Sequence, residues 1–270
     1  MIRRIDPGFQ RRMLCLILMM LLQNLAGNLR MSSSYAIVLP DLIFEPQYQP
    51  YSKDVLLGHF EPSEHPDFER IRGYNAHPTM YLQRQAKLAL DSLIAAAAAE
   101  GINLNVISAT RNFATQQRIW ENKIRAKSNG SFQALTKNRQ LQIVQNILNY
   151  SAMPGTSRHH WGTDVDFCSV ELAFWRGNTG SKVFRWLQDN AAEYGFALVY
   201  TQNRSGGYNY EPWHWSYLPL AERFLEDYRN TVSYEDLAGF NGAELAEELE
   251  IFPRYVQNVF DPMFAMLCTP

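Results

Sequence analysis

Between residues 79 and 100 apolar side chains recur at helical spacing, at Leu82, Ala86, Leu90, Leu93 and Ala97. That period, the alanine run at 95–99 and Gly101 just beyond predict a helix over 79–100 that stops at the glycine. Leu104, Asn105, Val106 and Ile107 then read as a short strand, and residues 113–127 return to helix. A further amphipathic helix is expected over 138–150, ended by the turn signal Pro154-Gly155. Next, Val165 and Phe167 alternate with Asp164 and Asp166, which predicts a strand with one apolar and one acidic side, Val170 extending the apolar one. Residues 181–194 read as a helix burying Val183, Phe184, Trp186, Leu187 and Tyr194, with Gly195 as its stop. Strands follow at 197–200 and 208–217 around a polar, glycine-rich loop, and helices at 222–229 and 243–251. Pro212 is a poor member of a central ladder, so a bulge or a strand start is expected beside it. Adjacent strands around a short loop favour antiparallel pairing. The predicted class is α+β: a small, mainly antiparallel sheet with helices packed on one side.

Composition narrows the function classes. The chain has 270 residues, 46% hydrophobic, and a formal charge of −2, enough for one good-sized core. No strongly basic patch argues for nucleic acid, and neither an internal repeat nor a phosphate-cradling glycine loop is present. Arg3, Arg4, Arg11 and Arg12 precede an uninterrupted apolar run at 13–22. That run fits the core of a signal peptide and is short for a bilayer-spanning helix of about 20 residues. Residues 1–34 are therefore expected to be a signal peptide or a membrane anchor, and the protein to be exported to the periplasm or cell envelope. Cys168 and Cys268 would remain as an even pair in an oxidising compartment, with a disulfide and two free thiols both open.

The chemistry concentrates in two stretches. Ser157-Arg158-His159-His160-Trp161-Gly162-Thr163-Asp164-Val165-Asp166 is completed by Glu211-Pro212-Trp213-His214. A single histidine beside a tryptophan is commonly a packed core residue. The conjunction argues for more: two imidazoles and one carboxylate make a zinc set, and a second carboxylate is left for proton transfer. His159, Asp166 and His214 are read as ligands of one Zn²⁺ and Glu211 as the base. His59, His65 and His77 are read as surface or turn residues, since the set is complete without them.

The paired pattern Ser157-x-His159-x-x-Gly162-x-x-x-Asp166 and Glu211-x-Trp213-His214 resembles the zinc D-alanyl-D-alanine carboxypeptidases of the VanY type. The family pattern carries alanine where this chain has Asp164, for which a place behind the ligands or in solvent are both open. The stretch Ser108-Ala109-Thr110-Arg111 through Gln116 resembles the family's S-G-Y-R-S-x-x-x-Q, with Ala109 and Thr110 in place of glycine and tyrosine. The resemblance implies that Arg111 faces the metal site, where its fork of donors would hold an oxyanion or a terminal carboxylate. Gln116, Ser157 and Trp213 are assigned to substrate binding. The implied substrate is a peptidoglycan stem peptide losing its terminal D-Ala, with L,D-carboxypeptidase or wall endopeptidase activity as alternatives. A non-catalytic, zinc-stabilised wall-binding module is the competing class. The expected organisation is the leader at 1–34, an N-terminal extension at 35–78, the zinc peptidase core at 79–220 and a helical C-terminal extension at 221–270. Leu56-Leu57-Gly58-His59-Phe60 and His65-Pro66-Asp67-Phe68 resemble an entry segment of cell-wall relatives.

Overall fold

A computed structural model describes residues 49–258 except Ser205. The expected leader at 1–34 and Cys268 lie outside these residues. The described residues fall within one compact unit. Among the described residues no helix is long and apolar enough to cross a membrane.

The first helix, α1 (Lys53–Leu57), starts where Ser52 Oγ accepts the Val55 N–H and ends at Gly58 in the left-handed region. Strands β1 (Phe68–Arg70) and β2 (Tyr81–Gln83) pair antiparallel, Phe68 opposite Gln83. The first long helix, α2, therefore runs over Arg84–Ala99, not from residue 79. Leu82 fits the helical period by residue type, yet it is fully buried in the ladder with β1. Helix α2 buries Ala86, Leu90, Leu93, Ile94 and Ala97. Next come β3 (Val106–Ser108), α3 (Phe113–Ser128) and α4 (Lys137–Leu148), close to expectation. Asn112 caps α3 by accepting the Thr115 N–H at 2.9 Å.

β4 (Asp164–Phe167), a short helix α5 (Leu172–Arg176), α6 (Asn178–Asn190), β5 (Phe196–Leu198), β6 (His214–Tyr217) and α7 (Leu218–Thr231) follow. The main sheet has the order β3-β4-β6-β5 and is antiparallel throughout, as expected. The strand expected over 208–217 is only its last four residues, because residues 211–213 form a turn in which the His214 N–H reaches the Glu211 carbonyl. Pro212 thus stands just before the strand, where a missing donor costs nothing. The helix expected over 243–251 is a 3₁₀ turn at Ala243–Leu245, followed by a single π turn at Phe252–Val256. Val170 is 53% exposed and lines a cleft, so it does not extend the apolar side of β4.

Alternation then divides the work of β4 and β6. Val165, Phe167 and Trp215 join one core with α2 and α6 residues. A second core gathers Leu56, Trp120, Val144 and Phe224, from α1, α3, α4 and α7, with Trp161 from a 3₁₀ turn at Arg158–Trp161. The opposite side chains, Asp164, Asp166, His214 and Ser216, are all buried and polar. A sheet face so built needs partners for every one of them.

Candidate metal centre

Register puts the donors together. In the β4–β6 ladder Asp166 is directly opposite His214, and Asp164 is opposite Ser216. Directly opposed residues share a face, so Asp166 and His214 become neighbours through strand pairing alone. His159 arrives from the 3₁₀ turn Arg158–Trp161, which Gly162 closes at φ 69°. A Cβ at Gly162 would meet Phe68 Cε1 at 2.3 Å, so the glycine is required by both conformation and space. One donor atom each from His159, Asp166 and His214 lies within 4.8 Å of the others, all three residues buried.

Their free electron pairs are set by what stands behind them. His159 Nδ1 is 2.7 Å from the Ala109 carbonyl and therefore carries the hydrogen, which leaves the Nε2 lone pair facing Asp166. Nε2 is 3.3 Å from Asp166 Oδ2, yet it is buried without a hydrogen-bond partner. His214 Nε2 donates to Asp164 Oδ2 at 2.8 Å, which turns Nδ1 toward Asp166 Oδ1 at 3.0 Å. Fixing the ring through its outer nitrogen is the usual arrangement behind a metal-binding histidine. Two nitrogens and one carboxylate oxygen, with no fourth protein donor among them, fit the open set of a catalytic zinc. The orphaned His159 nitrogen is the direct sign of that fit.

Burial lowers the pKa of His159, and the Arg111 charge lowers it further. Burial also pulls His214 down, but hydrogen bonds to Asp164 and Asp166 outweigh it and hold the ring at about 9. That value describes a ring shared between two carboxylates. A dication among the donors would reverse it, because its charge favours the unprotonated imidazole.

Asp164 is fully buried and saturated. Its Oδ2 accepts from His214 Nε2 and from Arg158 Nε at 3.0 Å; its Oδ1 accepts from the Thr163 and Ser216 hydroxyls at 2.6 Å each. Arg158 also donates to Ser216 Oγ at 2.7 Å and lies over the Trp161 ring. Burial opposes the charge on Asp164, but Arg158 and His214 hold its carboxyl well below the usual range. Of the two positions left open by the sequence, Asp164 thus occupies the one behind the ligands.

Glu211 is not among the three donors. Its Oε2 is 4.0 Å from His214 Nδ1, and burial, with the charge of Asp166, pushes its carboxyl up to about 8 against the pull of His214 and Arg111. Arg111 lines the same cleft of about 500 Å³, its Nε buried without a hydrogen-bond partner. Its backbone is pinned twice: its N–H donates to the His159 carbonyl at 3.1 Å, and its carbonyl is 2.6 Å from His160 Nδ1. The second His160 nitrogen accepts the Gly155 N–H at 3.1 Å, so both ring nitrogens are used. Burial holds His160 neutral, down at about 3.

Gln116, Ser157 and Trp213 all line the cleft with Arg111 and Glu211. The Gln116 amide is turned to the Ala152 carbonyl at 2.8 Å, so one of its donors is already used. Exposed Tyr150 stands 6.4 Å from Trp213 at the rim. His59 and His77 are exposed and His65 half-buried, each outside the cluster. Gly58 packs so closely on His160 that a Cβ there would lie 2.4 Å from Nδ1, which brings the 56–60 segment against the motif. Sequence reading passed over Arg158, Ser216 and Lys123. Ser216 stands two residues from His214 on a strand, a spacing that already assigns it to the same face.

The family described as VanY, D-alanyl-D-alanine carboxypeptidase, matches residues 79–220. The chain belongs to the VanY family. It is similar to the putative carboxypeptidase YodJ of Bacillus subtilis strain 168, with 30% identity over 190 residues, covering 67% of this chain and 62% of that protein. It also resembles a D-alanyl-D-alanine carboxypeptidase of Enterococcus faecalis strain V583, at 31% over 155 residues and 53% of each. The chain thus spans less than two thirds of the length of these relatives. A solved structure of VanYB in complex with D-alanine-D-alanine is 25% identical, with a TM-score of 0.45, covering 64% of this chain and 93% of that one. Within the VanY core, Asp164 is not a bare departure from alanine, because Arg158 and Ser216 complete it.

Proposed function

We propose that this VanY-family chain is a zinc-dependent carboxypeptidase that removes the terminal D-Ala from peptidoglycan stem peptides. The observation carrying the reading is the pairing of a three-donor cluster with a fourth, unliganded carboxylate in one cleft. A structural zinc has no need of a free buried acid and is generally closed by a fourth ligand. The family match and the relatives' activity support the substrate class.

His159, Asp166 and His214 would hold the ion. Zinc at such a site supplies a water acidified toward neutral pH and Lewis-acid polarisation of a carbonyl. Glu211 accepts the proton of the attacking water at a carboxylate oxygen and returns it to the leaving nitrogen. Arg111 presents its guanidinium to the charge that develops on the carbonyl oxygen, held there by its backbone bonds to His159 and His160. Trp213, Tyr150 and Leu172 line the cleft beside these groups. We assign residues 79–220 to the catalytic core and place its substrate outside the cytoplasm, with 13–22 as the export address.

Glu211→Gln tests the reading. The variant is expected to keep zinc and its melting temperature while D-Ala release from a pentapeptide stem falls by about 10²–10⁴-fold or more. Wild-type release should stop with a chelator and return with Zn²⁺. Full turnover by zinc-loaded Glu211→Gln would remove the proposed base. No release by the wild type from any stem peptide, with wall fragments still bound, would favour the binding module.

A further inference from the structure

Helix α3 shows three side chains to the cleft: Gln116, Ile119 and Lys123. Steps of three and four residues place them on one helix face. The Gln116 amide is committed to the Ala152 carbonyl and Ile119 is apolar. Lys123 is half-buried, and among the described residues it forms no ion pair and no hydrogen bond. Three other lysines do find partners: Lys53 with Asp236, Lys87 with Asp91 and Lys137 with Glu248. Buried Arg158 is matched by Asp164. Lys123 instead shares its cleft with a second cation, Arg111, whose Nε is also without a partner.

Two cations in a half-buried cleft repel more strongly than in water, since the effective dielectric is lower. Burial lowers the Lys123 ammonium pKa, the Arg111 charge lowers it further, and Glu211 opposes them. Glu211 does not neutralise both cations: it stands beside His214, without ion-pair contact to either. Asp166 is taken up by the histidines, and Glu171 lies at the exposed rim. The charges acting on Lys123 include Glu211 and Arg111 but none of the three metal donors, whereas Arg111 acts on His159 directly. Arg111 is bonded through its backbone to His159 and His160, whereas Lys123 enters the cleft from α3 with no bond to the motif residues.

We propose that Lys123 is a specificity-determining residue that receives an acidic group of the peptide, a carboxylate set apart from the carbonyl under attack. A lysine ammonium is a compact point charge on a flexible stem, suited to a carboxylate whose orientation varies. The proposal rests on the peptidase reading above. Two parts of a stem peptide carry this chemistry: the terminal carboxylate of the departing residue and an acidic group on the acyl side.

The test compares peptides that differ in one charge. One pair ends in D-Ala or in D-alaninamide; the other carries an acidic residue or its amide on the acyl side of the scissile bond. With wild type, one pair is expected to show a preference for the acid of about tenfold or more in kcat/KM, the scale of a charged hydrogen bond. Lys123→Gln should erase that preference, chiefly by raising KM for the acid, and Lys123→Arg should restore most of it. Lys123→Met keeps the apolar stem and serves if the amide variant folds poorly. Loss in the first pair assigns Lys123 to the terminal carboxylate, and loss in the second to the acyl-side acid. Unchanged preferences in active Lys123→Gln and Lys123→Met overturn the role of Lys123 and leave the peptidase reading intact. Absence of wild-type cleavage of every peptide overturns both.

Discussion

Replacing Asp164 by Asn tests whether the outer ring of hydrogen bonds, and not only the three donors, sets the metal centre. The carboxylate has no exposure and accepts from four groups. An amide can still accept from Thr163 and Ser216 through its oxygen. Its NH₂ would then face two other donors, His214 Nε2 and Arg158 Nε, so the ring must tilt or move its hydrogen to Nδ1, where the lone pair is needed. Loss of an outer partner of this kind weakens metal binding by about 10–100-fold, or roughly 1.4–2.7 kcal/mol at 1.36 kcal/mol per tenfold. The Arg158–Asp164 pair is 1% and 0% exposed, so solvent screening gives no relief. Breaking a buried pair costs about 3–5 kcal/mol of stability, a fall in melting temperature on the order of 10 °C for a unit of this size. Zinc affinity should therefore be measured by competition with a chelating dye, well below the variant's own melting point. Arg158→Met is the control: it should lose comparable stability but less than tenfold in zinc affinity, because the His214–Asp164 bond remains. A folded Asp164→Asn protein with wild-type zinc affinity would refute the reasoning.

Among the ligands, His159→Ala should lose zinc almost completely, whereas His160→Ala should keep it and melt lower, since both His160 nitrogens serve the backbone of Arg111 and Gly155; normal zinc in the first with loss in the second would reverse the assignment. Export can be followed by fractionation: the mature chain is expected in the envelope, and recovery solely from the cytosol would count against the wall substrate.

The cluster of His159, Asp166 and His214 was legible because each motif is local and the two strands pair in register. His159, Gly162 and Asp166 lie within one eight-residue stretch, and Asp166 needs only its cross-strand neighbour to meet His214. The turn at Glu211–Trp213 was likewise readable from Pro212, whose missing donor bars it from a ladder. Residues 79–83 were not readable: Leu82 has the right type for a helix, and pairing with β1 overrides that preference. Arg158 carried no signal, because its partners Asp164 and Ser216 are brought to it by a 3₁₀ turn and a strand pairing that composition cannot reveal. Lys123 did carry one. It stands two helical turns from Gln116 on the same face, a relation visible once the helix is granted.

The departure at Asp164 shows how a change within a motif can remain consistent with its chemistry. Alanine at that position would leave the His214 Nε2–H without its acceptor and would also leave the buried Arg158 guanidinium without its carboxylate. Introducing Asp alone would be equally costly, since an isolated buried carboxylate needs a charge partner. The two residues are thus a linked pair six apart in the chain, with Ser216 as the hydroxyl that joins them across the ladder. Joined in this way, the arginine holds the carboxylate, the carboxylate holds the outer nitrogen of His214, and the inner nitrogen is left pointing at Asp166. The precision of the donor set is then a property of two neighbouring rungs of the sheet: one carries Asp166 and His214, and the other the groups that hold His214 in place.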